Sequence, residues 1–160
     1  MEPDFSKYVL EGDNSVYADA SGLVVPVVTR AGREAGGTGQ SAGATRISGV
    51  SVQHTPATRL WFGKVSNEPG YRSVTHHHGE AETGGYVLSG RARIYFGVKF
   101  EDYVDMAEGD WVFVPPFMPH IECNLSRSRP LTWMTARTPE NIVVNLPDVE
   151  DTELRDWLSR

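Results

Sequence analysis

Short runs of β-branched and aromatic residues follow one another along the chain from Ile47 onward, and clusters of Gly, Pro, Asn or acidic residues separate most of them. The runs are ISGVSVQ, RLWFGKV, GYVLSG, ARIYFGV, DYVDM, WVFVPP, HIECNL, PLTWMTA and NIVVNL. Many short strands with this punctuation are typical of an antiparallel sandwich or barrel. No long segment has helical spacing before the end of the chain. The pattern therefore predicts an all-β fold.

The two ends of the chain do not follow this pattern. The tract 31–44 is dominated by Gly, Ala, Ser and Thr, which indicates a flexible loop. Leu154, Trp157 and Leu158 stand at helical spacing near the end, which predicts a short amphipathic C-terminal helix. The predicted units are an N-terminal arm over 1–45, a β-barrel over 46–147 and a helical tail over 148–160.

Composition narrows the classes of function. A length of 160 residues suits one domain with a real core. The formal net charge of -6 at pH 7 disfavours a nucleic-acid binder, which gathers Lys and Arg on one face. Cys123 is the single cysteine, and no apolar run approaches the length of a membrane span. We therefore expect a cytoplasmic protein whose partner is a small molecule, with neither nucleic acid nor membrane as a ligand.

Four of the five histidines lie in two glycine-bounded segments. The first is GYRSVTHHHGEAETGGYVLSG, residues 70–90, and the second is GDWVFVPPFMPHIECN, residues 109–124. Both segments predict a strand, a turn and a second strand. The clustering makes these segments the candidate site.

The spacing of the histidines favours a metal site. His76 and His78 share one face of a strand and His77 points the other way, because side chains alternate along a strand. His120 from the second segment and Glu82 complete three imidazoles and one carboxylate. This donor set suits Fe, Mn, Ni, Co or Zn, and the ligand types do not distinguish among these divalent ions. A polar edge strand with a separately satisfied His120 is the alternative, which the joint placement of the histidines disfavours.

The two segments resemble the two signature motifs of the cupin superfamily. The matching positions are Gly70, His76, His78, Glu82 and Gly90 in the first motif, and Gly109, Pro115, His120 and Asn124 in the second. From about Gly43 to Leu146 the chain is similar to small single-domain bacterial RmlC-like cupins. The resemblance implies a double-stranded β-helix, the jelly-roll barrel, with one metal ion on His76, His78, Glu82 and His120.

Two departures from the family pattern affect this prediction. One residue more than usual separates Glu82 from Gly90, which would turn later side chains to the opposite face. A β-bulge at Gly84-Gly85 would absorb it and keep Glu82 inward; otherwise Thr83 takes the carboxylate position. We favour Glu82. Phe117 stands where the family usually has Gly, from which we expect that this turn needs no positive backbone angle.

Glu122 and Tyr86 are the candidate catalytic residues. Alternation places Glu122 on the face of His120, where it can act as a general acid or base. A surface or ion-paired Glu122 is the alternative. Tyr86 is the second candidate base. Arg59, Arg91 and Arg93 are possible anchors for an anion, but we interpret them as residues of a solvated outer face.

The function predicted from these residues is a metal-dependent enzyme that acts on a small organic molecule. The resemblance implies dioxygenases, isomerases, decarboxylases and cyclases as activities, and we place a dioxygenase slightly ahead of an isomerase, lyase or cyclase. The same residues are also compatible with a non-catalytic small-molecule-binding cupin and with a purely structural metal site. The open edges of such a barrel lead us to expect a homodimer.

Overall fold

The computed structural model describes residues 18, 20–21, 25–39 and 41–147. This part of the chain contains eleven strands and no helix. They are β1 (Ala35–Thr38), β2 (Ala44–Val50), β3 (Trp61–Asn67), β4 (His76–His77), β5 (Glu82–Ser89), β6 (Arg91–Phe96), β7 (Asp102–Ala107), β8 (Trp111–Val114), β9 (Ile121–Asn124), β10 (Leu131–Thr138) and β11 (Val144–Asn145). The pairings between these strands are antiparallel, as predicted.

Six strands form the larger sheet, in the order β1-β2-β3-β10-β5-β8. Its central strands alternate between buried and more exposed positions, because successive side chains point to opposite faces. The inward positions of β10 are Leu131, Trp133, Thr135 and Arg137. An arginine thus faces the interior at the end of this strand.

The smaller sheets close the barrel. One has the order β7-β6-β9, and the other pairs β11 with β4. Side chains from the two larger sheets share one hydrophobic core, which contains Trp61, Val65, Val87, Ala92, Ile94, Met106, Val114, Leu131 and Trp133. Residues from both sheets meet in this cluster, so the sheets pack face to face and leave an interior between them. The jelly-roll architecture fits this arrangement.

The N-terminal tract differs in part from the prediction. Residues 31–44 were expected to form a loop, but Ala35–Thr38 is strand β1 and pairs with β2, with Gly36 opposite Ile47. A Cβ on Gly36 would lie 2.1 Å from the carbonyl oxygen of Arg46, so glycine allows the close approach of these strands. The helix predicted over 148–160 lies outside the described residues.

A β-bulge lies in β5, but at a different place from the one expected. Thr132 pairs with Ser89 while Trp133 pairs with Val87, so Leu88 is the extra residue. The register is continuous from Glu82 to Val87, through Gly84 and Gly85. The additional residue of the first motif is therefore absorbed after Val87, and it does not change the direction of side chains near the start of β5.

The turn before His120 also differs from the expectation. Phe117 has a φ of 58°, in the left-handed region that the family's usual glycine adopts freely. Its backbone N–H donates to the carbonyl oxygen of Gly79 at 2.7 Å, and its ring lies 5.9 Å from that of His77. These contacts hold the turn in a conformation that an L-residue rarely takes.

In the described part of the chain, no helix is long and apolar enough to cross a membrane.

Candidate metal centre

Three histidines converge where β4 meets the start of β9. His76 belongs to β4, His78 follows it, and His120 precedes β9. The backbones of His76 and His120 exchange hydrogen bonds of 3.1 and 2.9 Å, which brings the two motifs together. The ring centroids lie 4.3 to 5.1 Å apart, and each residue is at most 1% exposed. The structure therefore assembles the three predicted histidines in one buried cluster.

Backbone carbonyls fix the orientation of the three rings. In each ring Nδ1 lies 2.8 to 2.9 Å from a carbonyl oxygen: that of Val74 for His76, of Ile142 for His78 and of Met118 for His120. A carbonyl oxygen only accepts, so each Nδ1 carries the proton and donates. In the neutral ring the lone pair is then on Nε2. Metal-binding histidines are held in this way, with the second nitrogen donating to an oxygen.

Glu122 supplies the carboxylate of the group. Its Oε1 lies 3.6 Å from Nε2 of His120 and 4.0 Å from Nε2 of His76. The backbone N–H of Glu122 donates to Oγ of Ser73 at 2.9 Å, and its carbonyl accepts from the Ser73 N–H at 2.8 Å. One donor atom from each of His76, His78, His120 and Glu122 lies within 4.8 Å of the others. This group of four could hold a metal ion.

The electrostatics of the group match the protonation states of metal ligands. Burial lowers the pKa of His76 to about 4 and that of His78 to about 2, so both rings are neutral at pH 7. Burial raises the pKa of Glu122, but His120, His76 and His78 outweigh it and hold this pKa well below its ordinary value. Neutral imidazoles and an ionised carboxylate are the forms that bind a divalent cation.

One nitrogen of the group, Nε2 of His120, indicates that the group binds an ion. Nε2 of His120 is buried and makes no hydrogen bond in the described part of the chain. A buried polar atom without a partner is uncommon and needs an explanation. Because this atom faces the Glu122 carboxylate at a distance too long for a hydrogen bond, a cation between them accounts for the arrangement. The residues present thus fit a metal ion.

Glu82 is not brought into the group. It lies on the exposed face of β5, whereas Thr83 is 4% exposed and faces inward. The reason is the position of the bulge, since the register through Gly84-Gly85 is regular. Thr83 therefore occupies the inward position, which is the alternative that the sequence left open beside Glu82. The carboxylate comes from Glu122, which the sequence indicated only as a candidate acid or base.

Tyr86 also lies away from the group. It sits on the outer face of β5, where its ring contacts that of Trp111 at a centroid distance of 4.4 Å. Trp111 is 78% exposed, so this pair belongs to the outer surface. The geometry does not support Tyr86 as a base for chemistry inside the barrel.

The arginines differ from the expectation in two respects. Arg59 and Arg91 are exposed as expected, but Arg93 is 3% exposed and binds Asp105 through two hydrogen bonds of 2.5 and 2.8 Å. Arg137, which the sequence reasoning did not consider, is 2% exposed and lies beside His78. Its inward position in the alternation of LTWMTART was the signal that could have revealed it.

Two cavities lie next to Arg137, and Glu122 of the group lines the inner one. The inner one, of about 20 Å³, is lined by Thr83, Thr135, Glu122, Arg137 and apolar residues, and it has room for a single water-sized group. The outer one, of about 250 Å³, is lined by residues that include Arg46, Trp61 and Asn141. Arg137 lines the inner cavity and contacts Trp61 and Asn141 of the outer one.

The sequence profile of the family described as Cupin domain matches residues 63–137. No protein with a curated description matches the chain in sequence. Among solved structures, the chain is similar to the polyketide cyclase RemF from Streptomyces resistomycificus, with 16% identity over 81% of this chain and 91% of that one, at a TM-score of 0.64.

Two further structures have the same fold. One is an uncharacterised conserved protein with a double-stranded β-helix domain from Klebsiella pneumoniae, with 18% identity over 69% of this chain and 91% of that one, at a TM-score of 0.55. The other is oxalate decarboxylase OxdC from Bacillus subtilis, with 23% identity over 69% of this chain, at a TM-score of 0.57. The chain spans 30% of that enzyme's length. At these identities the likeness shows the fold alone.

The buried histidines predict that the metal-free protein loses stability as the pH falls. The pKa values of His76 and His78 are below the 6.5 of an exposed histidine, so the unfolded state binds more protons below pH 6.5. From pH 7 to pH 5 we expect the free energy of unfolding to fall by roughly 2 kcal/mol for each of the two rings.

Urea denaturation of chelator-treated protein at the two pH values measures this loss. His78→Gln should reduce it by about half, since one of two titrating rings is removed. His77→Gln is the matched control, because the His77 side chain lies outside the buried cluster. Equal stability of the wild-type protein at pH 7 and pH 5 would show that these rings are not held neutral.

Proposed function

Because the chain belongs to the cupin superfamily, we propose that it is a metal-dependent enzyme that acts on a small organic molecule. One divalent transition metal ion is held by His76, His78, His120 and Glu122. The observation that carries the proposal is the set of three buried rings, each fixed through Nδ1 so that Nε2 is directed to the group. A group built only for packing has no need of this common orientation.

The choice of ion is part of the proposal. The donor set suits Fe, Mn, Ni, Co and Zn. One solved structure of B. subtilis oxalate decarboxylase is described for its Mn(II) centres, which makes Mn(II) the first ion to test. When bound, the ion supplies Lewis acidity or, if it is redox-active, a position for O2.

Two reaction types use the same residues in different ways. A dioxygenase needs the substrate and O2 side by side, with no protein base. An isomerase, lyase or cyclase needs a group that moves a proton, and Glu122 is the candidate because it lines the inner cavity; in that case the three histidines hold the ion. The dioxygenase stays our first prediction, and the position of Glu122 is the observation that favours the second type.

A turnover experiment tests the proposal. Protein loaded in turn with Mn(II), Fe(II), Co(II), Ni(II) and Zn(II) is incubated with a panel of small organic acids and hydroxy-carbonyl compounds, while NMR follows the compound and an electrode follows O2. We expect turnover with at least one ion and none in His78→Ala. Consumption of O2 identifies the dioxygenase, and turnover without O2 identifies the second type. A bound compound recovered unchanged with every ion would instead show a non-catalytic binding protein.

A further inference from the structure

We infer that Arg137, assisted by Arg46, binds the carboxylate group of the substrate beside the metal centre. The inference rests on the proposed function, because it places the anion next to the ion that His78 helps to hold. It narrows the substrate to a small carboxylic acid whose carboxylate enters the barrel first.

The hydrogen bonds of Arg137 show a buried cation without an anionic acceptor. Nε donates to Oγ1 of Thr83 at 3.2 Å, Nη1 to Oδ1 of Asn141 at 2.6 Å, and Nη2 to Nε2 of His78 at 3.3 Å. All three acceptors are neutral groups. Arginine is almost never fully buried without an anion, because removal of its charge from water is costly. Glu122 lines the same inner cavity and its charge favours the charged form of Arg137, but no described carboxylate accepts a hydrogen bond from the guanidinium group. The guanidinium group is therefore placed to hydrogen-bond an anion from outside the chain.

The hydrogen bond between Arg137 and His78 forms only while His78 does not bind the metal ion. Nε2 of a neutral histidine has one lone pair, which either accepts the hydrogen bond from Nη2 or binds the ion. When that lone pair binds the ion, Nη2 loses its acceptor inside the protein. A buried donor without an acceptor costs free energy, so metal loading prepares Nη2 for a new oxygen beside the ion. A carboxylate can accept from two guanidinium nitrogens at once.

Arg46 adds a second positive charge at the same place. It lines the outer cavity, and its Nε is buried and makes no hydrogen bond to any described residue. Burial first, and then the charge of Arg46, lower the pKa of Arg137 to about 9, while Glu122 raises it. Arg137 is still charged at pH 7. Glu140 also lines the outer cavity but is exposed to solvent. The positive charges of the two arginines oppose each other, Glu122 offsets part of this repulsion, and a bound anion would offset more of it.

The cavities set the direction of approach and the size of the ligand. The outer cavity of about 250 Å³ contains Trp61, whose ring lies 5.5 Å from the guanidinium carbon of Arg137, and Asn141, which accepts from its Nη1. The inner cavity holds only about 20 Å³. A small acid therefore meets Arg137 from the outer side, with one carboxylate oxygen directed to the inner cavity and its remaining atoms in the outer cavity.

The experiment compares glycolate with glycolamide, a pair of similar size that differs in charge. Calorimetric titrations are made on protein loaded with Zn(II), which has no redox chemistry. We expect the wild-type protein to bind glycolate at least tenfold more tightly than glycolamide. Arg137→Met should reduce this preference at least fivefold while it retains one equivalent of Zn(II), because the preference of the ion itself for a carboxylate is common to both proteins. Arg91→Met, which removes an exposed arginine, is the matched control and should behave as the wild type.

The outcomes separate the inference from the proposed function. A preference for glycolate that is unchanged in Arg137→Met, or no preference in the wild-type protein, overturns the inference and leaves the metal site intact. If Arg137→Met does not fold, Arg137→Gln replaces it, which is polar but uncharged, and an unchanged preference in that variant has the same meaning. If the wild-type protein holds no Zn(II), Mn(II) replaces it in the titrations, and if it holds none of the five ions the proposed function fails. In that case glycolate and glycolamide are titrated into the metal-free proteins. A preference for glycolate that is lost in Arg137→Met supports the inference, and a wild-type protein without a preference overturns it.

Discussion

Replacement of His120 by Ala is expected to lower the affinity of the protein for a divalent transition metal ion by at least about a hundredfold. Nε2 of His120 is a buried ligand atom that makes no hydrogen bond in the described part of the chain, and it lies 3.6 Å from the Glu122 carboxylate. Loss of this ring leaves two imidazoles and one carboxylate, which is a weaker donor set for these ions. Competition with a chelating dye measures the affinity.

The control for this variant is His77→Gln. His77 belongs to β4, next to His76, but its Nδ1 accepts a hydrogen bond from the backbone N–H of Gly79 and its ring contacts Phe117. We expect this variant to bind metal as the wild type does. Circular dichroism of both variants shows whether the fold is retained. Wild-type affinity in a folded His120→Ala would remove His120 from the site.

The second large effect is expected from Glu122, in contrast to Glu82. Glu122→Gln should lower the metal affinity by about tenfold or more, because it removes the negative charge and one donor oxygen from the group. Glu82→Gln should leave the affinity unchanged, since Glu82 is exposed on the outer face of β5. Both variants replace a glutamate by glutamine, so a difference in metal affinity between them reports the position of the carboxylate and not the substitution itself.

Titration of Mn(II) into the chelator-treated variants measures the two affinities. The opposite order, in which Glu82→Gln loses affinity and Glu122→Gln keeps it, would show that Glu82 is the carboxylate ligand, as the first motif predicts. Equal retention in both would leave three histidines as the protein ligands, with the carboxylate of Glu122 free to act as a base.

Strand periodicity explains why the histidines were predictable. His76 and His78 lie two residues apart at β4, and His120 lies in a second glycine-bounded segment, directly before β9. Each of these statements needs only a local alternation of side chains, which sequence shows directly. The antiparallel strand arrangement follows from equally local signals, the short apolar runs and the turn residues between them.

The carboxylate was not predictable to the same degree, because it depends on where an extra residue is absorbed. Both Gly84-Gly85 and the end of β5 lie between Glu82 and Gly90, and glycine made the first place attractive. In the structure the bulge is at Leu88, opposite the step from Thr132 to Trp133. The partner strand β10 sets this register, and its distance along the chain hides it from local pattern analysis.

The role of Arg137 was also hard to predict from the sequence. Its inward position follows from the alternation of β10, but its importance comes from contacts with His78 and Thr83, which are 59 and 54 residues away in sequence. An arginine near the end of a strand usually points to solvent, which is how the other strand arginines were interpreted. Only the pairing of β10 with β5, which sets Arg137 opposite Thr83, places its side chain at the inner cavity.

The central claim is that His76, His78, His120 and Glu122 hold one metal ion. Elemental analysis of protein purified without an affinity tag tests it most directly, with His120→Ala prepared in parallel. The account predicts close to one equivalent of a single transition metal in the wild-type protein and a small fraction of that in the variant. Trace metal in the wild-type protein that reconstitution with Mn(II), Fe(II), Co(II), Ni(II) or Zn(II) does not raise, or the same full content in both proteins, would contradict it.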